Sequence, residues 1–150
     1  MSDFIYLATV YSSHSKWRIV RWWVRRKRFK AINKTAAMLM KAGNVVFSPI
    51  SHSHPISQEL PEHLNTYQFW LPQDFAILKH CTKMYILGTD NWIGSIGVLK
   101  EIGYCCRHNI PVYVIDGDGE IRYPIRAKHY LHFLKGDKYG YRECDETGSD

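Results

Sequence analysis

No GxGxxG follows the first apolar run of the chain, so a dinucleotide held in the Rossmann manner has no support. No GxxxxGK followed by Ser or Thr occurs, which excludes a P-loop. There is no CxxC, so a zinc ribbon or thioredoxin motif is unsupported. The cysteines are few: Cys81, Cys105, Cys106 and Cys144 outline no disulfide framework, and the adjacent Cys105 and Cys106 cannot easily bridge each other. Cys81, Cys105 and Cys106 sit in apolar, helix-like stretches, which reads as reduced, buried thiols. No apolar run reaches the ~18 residues that span a bilayer, and no membrane partner is expected. Met1 to Val10 has no basic region ahead of its apolar core, so it does not read as a signal peptide, and a cytoplasmic protein is expected.

Acids are missing from residues 16 to 30, which hold eight Lys or Arg. The net charge of +6 is thus concentrated early. Trp17, Trp22, Trp23 and Phe29 are interleaved with these cations. The weightiest reading is an amphipathic helix with its aromatics buried and its arginines solvated. A role for one or two arginines in holding a small anion comes next, and nucleic acid last.

What is present suits one folded unit. The chain has 150 residues and 45% hydrophobic content, enough for one core. Phe4 to Val10 is a buried first strand by its aromatic and β-branched run. Trp17 to Ala42 is helical, with Ile32, Ala36, Leu39 and Met40 along one face, and Lys41-Ala42-Gly43 supplies a stop. Val45 to Phe47 is a second strand, ended by Ser48-Pro49. Ile50 to Pro61, rich in His, Ser and Pro, reads as a loop. Residues 64 to 80 are helical, with Pro72 expected in the first turn. Met84 to Leu87 is a third strand, Ile96 to His108 a helix and Ile110 to Ile115 a fourth strand. Asp116 to Gly119 is turn chemistry, and Ile121 to Ile125 is a candidate edge strand. Residues 136 to 150 read as a flexible tail.

Strands alternating with helices imply an α/β fold: a flavodoxin- or Rossmann-like three-layer architecture around a four- to five-stranded parallel sheet. Ligands in such folds bind beyond the carboxyl ends of the strands. Residues 9–16, 48–61 and 88–96 are therefore the loops that matter.

Three carboxylates fall near them. Glu101 lies two turns into the helix after the third strand, between Gly97 and Gly103. Gly94-Ser95-Ile96-Gly97 offers free backbone N–H groups to an anion, and a carboxylate nearby can reach the sugar of a ligand whose phosphate is held there. By spacing alone, a solvated helix glutamate is the weightier reading of Glu101. Asp74, after Pro72, reads first as a helix-start acid and second as a general acid in the cleft. Asp90 is explained by turn chemistry. His52, Ser53 and His54 with His63 invite a metal, but no carboxylate or thiol completes a ligand set by spacing, so no metal is expected.

These residues resemble a known group. Ile5-Tyr6-Leu7-Ala8 with Tyr11-Ser12, Val24-Arg25, Arg28-Phe29, Ala42-Gly43, the run Phe47 to Pro55, Phe69-Trp70 with Asp74, and Gly97 to Gly103 together look like a small, often phage-encoded branch of the nucleoside 2-deoxyribosyltransferase-like superfamily. The resemblance covers about residues 4 to 115. It implies a domain over 1–116, with 117–150 as a C-terminal extension. It also implies cleavage or exchange of an N-glycosidic bond of a 2′-deoxynucleoside or its 5′-monophosphate, without a cofactor. Glu101 would be the nucleophile or the stabiliser of the oxocarbenium-like sugar, Asp74 the proton donor to the base, and Tyr6 the phenol that orients the glutamate. Such chemistry needs one carboxylate ionised beside the sugar and another group able to give the base a proton.

Ser95, six residues before Glu101, resembles the serine by which the monophosphate N-glycosidases bind a 5′-phosphate; the transferases carry an aspartate there. Gly97, Arg25 and Arg28 would complete the phosphate site, with Ser12, His52 and His54 as further substrate contacts. The resemblance also implies a homo-oligomer, for which the Trp-rich first helix is a candidate surface. A nucleotide-like small molecule is the expected partner, and host cytoplasm the location if phage-encoded. The alternative function is a module that binds or sequesters a nucleotide in the same pocket without cutting it. The sequence departs from the superfamily in its Trp- and Arg-rich segment 16–30 and in a first loop poor in glycine.

Overall fold

A computed structural model describes residues 2–11, 16–88 and 92–134. Along the described chain run β1 (Phe4–Ala8), α1 (Arg18–Lys41), β2 (Val45–Phe47), α2 (Pro49–Ser57), α3 (Tyr67–Leu78), β3 (Lys83–Leu87), α4 (Ile96–Arg107), β4 (Val112–Ile115), β5 (Ile121–Ile125) and α5 (Ala127–Leu134). The strands form one sheet in the order β2-β1-β3-β4-β5. The expected α/β, flavodoxin-like architecture is therefore present.

The sheet is parallel only over β1 to β4; β5 runs antiparallel to β4. Four strands thus meet the expected parallel sheet, and the candidate edge strand joins it antiparallel. A connection as short as Asp116 to Glu120 can return the chain only as a hairpin, since a parallel return needs a crossover of a dozen residues or more. Asp116 Oδ1 accepts from the N–H groups of Asp118 and Glu120 at 2.9 and 3.0 Å, and Gly119 takes φ +82°, so the turn is built as its sequence indicates.

Alternation along β1 divides the core. Ile5 and Leu7 face α1 with Ile32, Ala36 and Leu39, while Tyr6 and Ala8 face α3 and α4 with Leu78, Val98 and Ile102. Met40, expected on the apolar face of α1, is half exposed. Larger corrections lie at its start: Trp17, Trp22 and Trp23 are 74%, 53% and 61% exposed, not buried. Full burial along α1 begins at Ile32, so the outer face of its first turns extends past the core, while Phe29 packs on His54.

Residues 49–57, read as loop, form α2. Ser48 caps it by accepting from the Ser51 N–H, and Pro49 sits at its start, where a missing N–H is harmless. Composition rich in His, Ser and Pro hid a cap followed by a helix-starting proline. Pro72 lies inside α3 rather than in its first turn, because α3 begins at Tyr67. The sequence reading has no counterpart for α5, which packs on α4 through Tyr130: a Cβ on Gly103 would stand 2.4 Å from the Tyr130 phenol oxygen. The tail at 136–150, with Cys144, lies outside the described residues, as does Asp90.

Candidate active site

The strand order reverses between β1 and β3, which opens a crevice beyond their carboxyl ends. A cavity of about 300 Å³ lies there. Thr9 and Tyr11 enter it after β1, Pro49 and Ile50 after β2, and Gly94 to Val98 after β3.

Glu101 is carried into this cavity by α4. It is 6% exposed, so the solvated-helix reading is overturned. Its Oε1 accepts the Tyr6 phenol at 2.7 Å, a bond spanning 95 residues of sequence. Tyr6 reaches it because residue 6 of β1 points to the α4 side of the sheet, and its ring is wholly buried. Asp74 comes from the middle of α3, eight residues into the helix, and is 9% exposed on the cavity wall. The helix-start reading of Asp74 therefore fails, for the same reason that Pro72 is internal.

Burial dominates the electrostatics of this group. It pushes Asp74 up to about 7. It pushes Glu101 up to about 8, with the Asp74 charge adding to the rise and the Tyr6 hydrogen bond opposing it. The Tyr6 phenol is raised well above its usual range by burial and by both carboxylates, so it stays a donor. Two carboxyls that hold protons near neutrality, in one cavity, can exchange protons with a bound molecule.

At the opposite end, Ser95 caps α4, its Oγ accepting from the Val98 N–H. Ser95, Ile96 and Gly97 line the cavity, so the free N–H groups of a twelve-residue helix open onto it. Arg25 lines the cavity from α1, its guanidinium 5.4 Å from the centre of the Tyr11 ring. Its Nε is buried and, among the described residues, has no hydrogen-bond partner.

The remaining candidates stand further back. Arg28 donates to the Tyr11 carbonyl at 3.5 Å and is not on the cavity wall. The His54 ring is hydrogen-bonded to the Tyr11 phenol and lies 4.3 Å from the Phe29 ring centre. Burial, with Arg25 nearby, lowers the His54 pKa and so disfavours the charged ring. His52 packs at 5.7 Å on Phe47, which itself packs on Tyr6. Neither histidine lines the cavity; each supports a side chain near it. Ser12 lies outside the described residues.

Sequence reasoning missed one wall. Tyr67, Trp70 and Leu71 project from α3 into the cavity, with Asn65 and Thr66 just before them. The Trp70 indole N–H donates to Asn65 Oδ1 at 2.8 Å, which fixes the ring. Their spacing from Asp74, at i−7, i−4 and i−3, was the available signal, since those positions share its face of a helix.

A solved structure to which the chain is similar is the 2-deoxyribosyltransferase of the psychrotolerant bacterium Bacillus psychrosaccharolyticus, at 19% identity and a TM-score of 0.47 over 93% of this chain and 94% of that one. No curated protein matches the sequence. A family model described as "Domain of unknown function (DUF1937)" matches residues 3–116, and the chain belongs to that family.

Proposed function

We propose that this chain cleaves the N-glycosidic bond of a 2′-deoxynucleoside 5′-monophosphate, by hydrolysis or by transfer to another base. The observation that carries the reading is Glu101, held by the buried Tyr6 phenol, on the wall of one cavity with Asp74 and the Ser95-capped start of α4. The sequence resemblance assigns the same residues to the same roles.

The site supplies each requirement of the reaction. The phosphate sits at Ser95 and Gly97, where N–H groups and the helix dipole favour an anion, and Arg25 gives a counter-charge. The base lies along Tyr67 and Trp70, within reach of Asp74. Glu101, ionised and steadied by the Tyr6 hydroxyl, bonds to the anomeric carbon as the C–N bond breaks, and the base departs with the Asp74 proton. Water or a second base then displaces Glu101 and returns a proton to Asp74. The competent site thus holds one negative charge on Glu101 and one proton on Asp74. In the empty protein, the two carboxyls together bear one charge between about pH 7 and 8. In that interval the charge lies mainly on Asp74, since Glu101 holds its proton to about 8 even with the Tyr6 bond, and substrate binding must shift the pair's one proton from Glu101 to Asp74.

The test is a turnover screen. Deoxy- and ribonucleoside monophosphates and the matching nucleosides are incubated with wild type and Glu101→Gln, and free base is followed by chromatography. Base released by wild type alone, and faster from a monophosphate than from its nucleoside, is the expected outcome. Tight nucleotide binding without release would make the pocket a receptor, and release by both proteins would remove Glu101 from the chemistry.

A further inference from the structure

The first turns of α1 carry a surface that the site does not use. Ile19, Trp22 and Trp23 are 67%, 53% and 61% exposed, and Val20 is 42% exposed. Spacings of three and four place Ile19, Trp22, Trp23, Arg26, Lys27 and Lys30 on one face of the helix. Arg26, Lys27 and Lys30 are exposed as well. No acidic residue occurs between Asp3 and Glu59, so no carboxylate of this segment offsets the charge. Arg25 and Arg28 lie on the inner side of the helix, toward Tyr11. The two sides of the segment therefore have separate tasks.

Three occupants can be weighed by chemistry. A second copy packed across a two-fold axis would set this cationic patch against itself, with no acid among residues 4–58 to relieve it. That disfavours the second-copy use the sequence reading offered for this helix. A nucleic acid matches the charge, but base stacking wants an aromatic face that is open. The Trp22 ring meets Trp23 edge-on at 5.1 Å and has Arg26 over it at 5.4 Å, so its faces are partly taken. Exposed Ile19 and Val20 gain nothing from phosphates.

An anionic bilayer surface matches every part. Indole rings settle at the boundary between headgroups and acyl chains, aliphatic side chains enter just below it, and Lys and Arg stay with the lipid phosphates. We propose that the N-terminal half of α1 is a peripheral docking surface for membranes rich in anionic lipid. No described helix is long and apolar enough to cross a membrane, so the contact is with the surface only. The Tyr11 and Arg25 side of the same helix borders the cavity, so a docked molecule would hold its site close to the bilayer.

The full chain is mixed with extruded vesicles of phosphatidylcholine alone, or with one quarter phosphatidylglycerol, and sedimented at low and high salt. Wild type is expected to sediment with the anionic vesicles only, with tryptophan emission moving to shorter wavelength and binding weakened by salt. Trp22→Ser/Trp23→Ser should weaken vesicle binding at least tenfold, and Arg26→Ala/Lys27→Ala should weaken it while leaving the thermal transition unchanged. The proposal is overturned if anionic vesicles bring down no protein, or bind the Trp22→Ser/Trp23→Ser protein equally well. It also fails if a single-stranded oligonucleotide binds this face more tightly in the same buffer, or if light scattering shows a dimer that the double substitution dissociates.

Discussion

Tyr6 and Glu101 show how much one hydrogen bond decides. A buried carboxylate without a donor would hold its proton more firmly still, so the 2.7 Å phenol contact is what brings ionisation of Glu101 within reach of neutral pH. Tyr6→Phe is expected to move the rising limb of the pH–rate profile upward and to lower kcat by about 10–100-fold, as loss of a bond worth about 1.5–3 kcal/mol implies. A profile measured from pH 5 to 9.5 checks this; an unmoved limb would leave Tyr6 a packing residue only. Glu101 was legible as a carboxylate in the right loop, but its burial was not, since a helix glutamate two turns in is ordinarily solvated. Tyr6, 95 residues away in sequence, supplies the partner that only folding brings near.

Among the elements, α4 carries the most. Its N-terminus faces the cavity, its second turn delivers Glu101, and Gly103 on its outer side receives α5. Aspartate caps a helix as well as serine does, so Ser95→Asp should leave α4 folded. Its charge opposes an anion at the same N–H groups, and the preference for monophosphate over nucleoside in kcat/KM should fall by about 10–100-fold. Equal losses on both substrates would place the phosphate elsewhere. Gly103→Ala forces a Cβ to within 2.4 Å of the Tyr130 oxygen, an overpacking expected to lower stability by about 1–3 kcal/mol in urea unfolding. Tyr130→Ala in the same chain should recover part of it. A Gly103→Ala protein as stable as wild type would mean that α5 holds to α4 by other contacts.

For the whole molecule, the buried carboxyls tie stability to pH. Asp74 and Glu101 titrate at about 7 and 8 when folded, above their ordinary values of 3.8 and 4.5. Folding thus favours their protonated forms. That contribution is fully present below the ordinary values and is lost as pH rises through 7 and 8, by about 1.4 kcal/mol per pH unit for each group within its window. The melting temperature should fall between pH 5 and 8.5. Glu101→Gln and Asp74→Asn should each flatten that fall, and a wild-type curve already flat would mean that water reaches the pair. Light scattering tests the expected homo-oligomer against the 17.6 kDa chain mass.

The sequence by itself determined the alternation of elements, the hairpin turn at Asp116, the stop at Gly43 and the loops in which a site would lie. Each rests on local rules of period, capping and turn chemistry, which residues near one another in the chain obey. Only the tertiary structure decided which polar groups are withdrawn from water. Whether Glu101 and Asp74 are solvated, whether Trp22 and Trp23 are covered, and whether residues 49–57 close into a helix depends on what stands opposite them. Burial is a property of the neighbours across the fold, and their identities are not written at i±4.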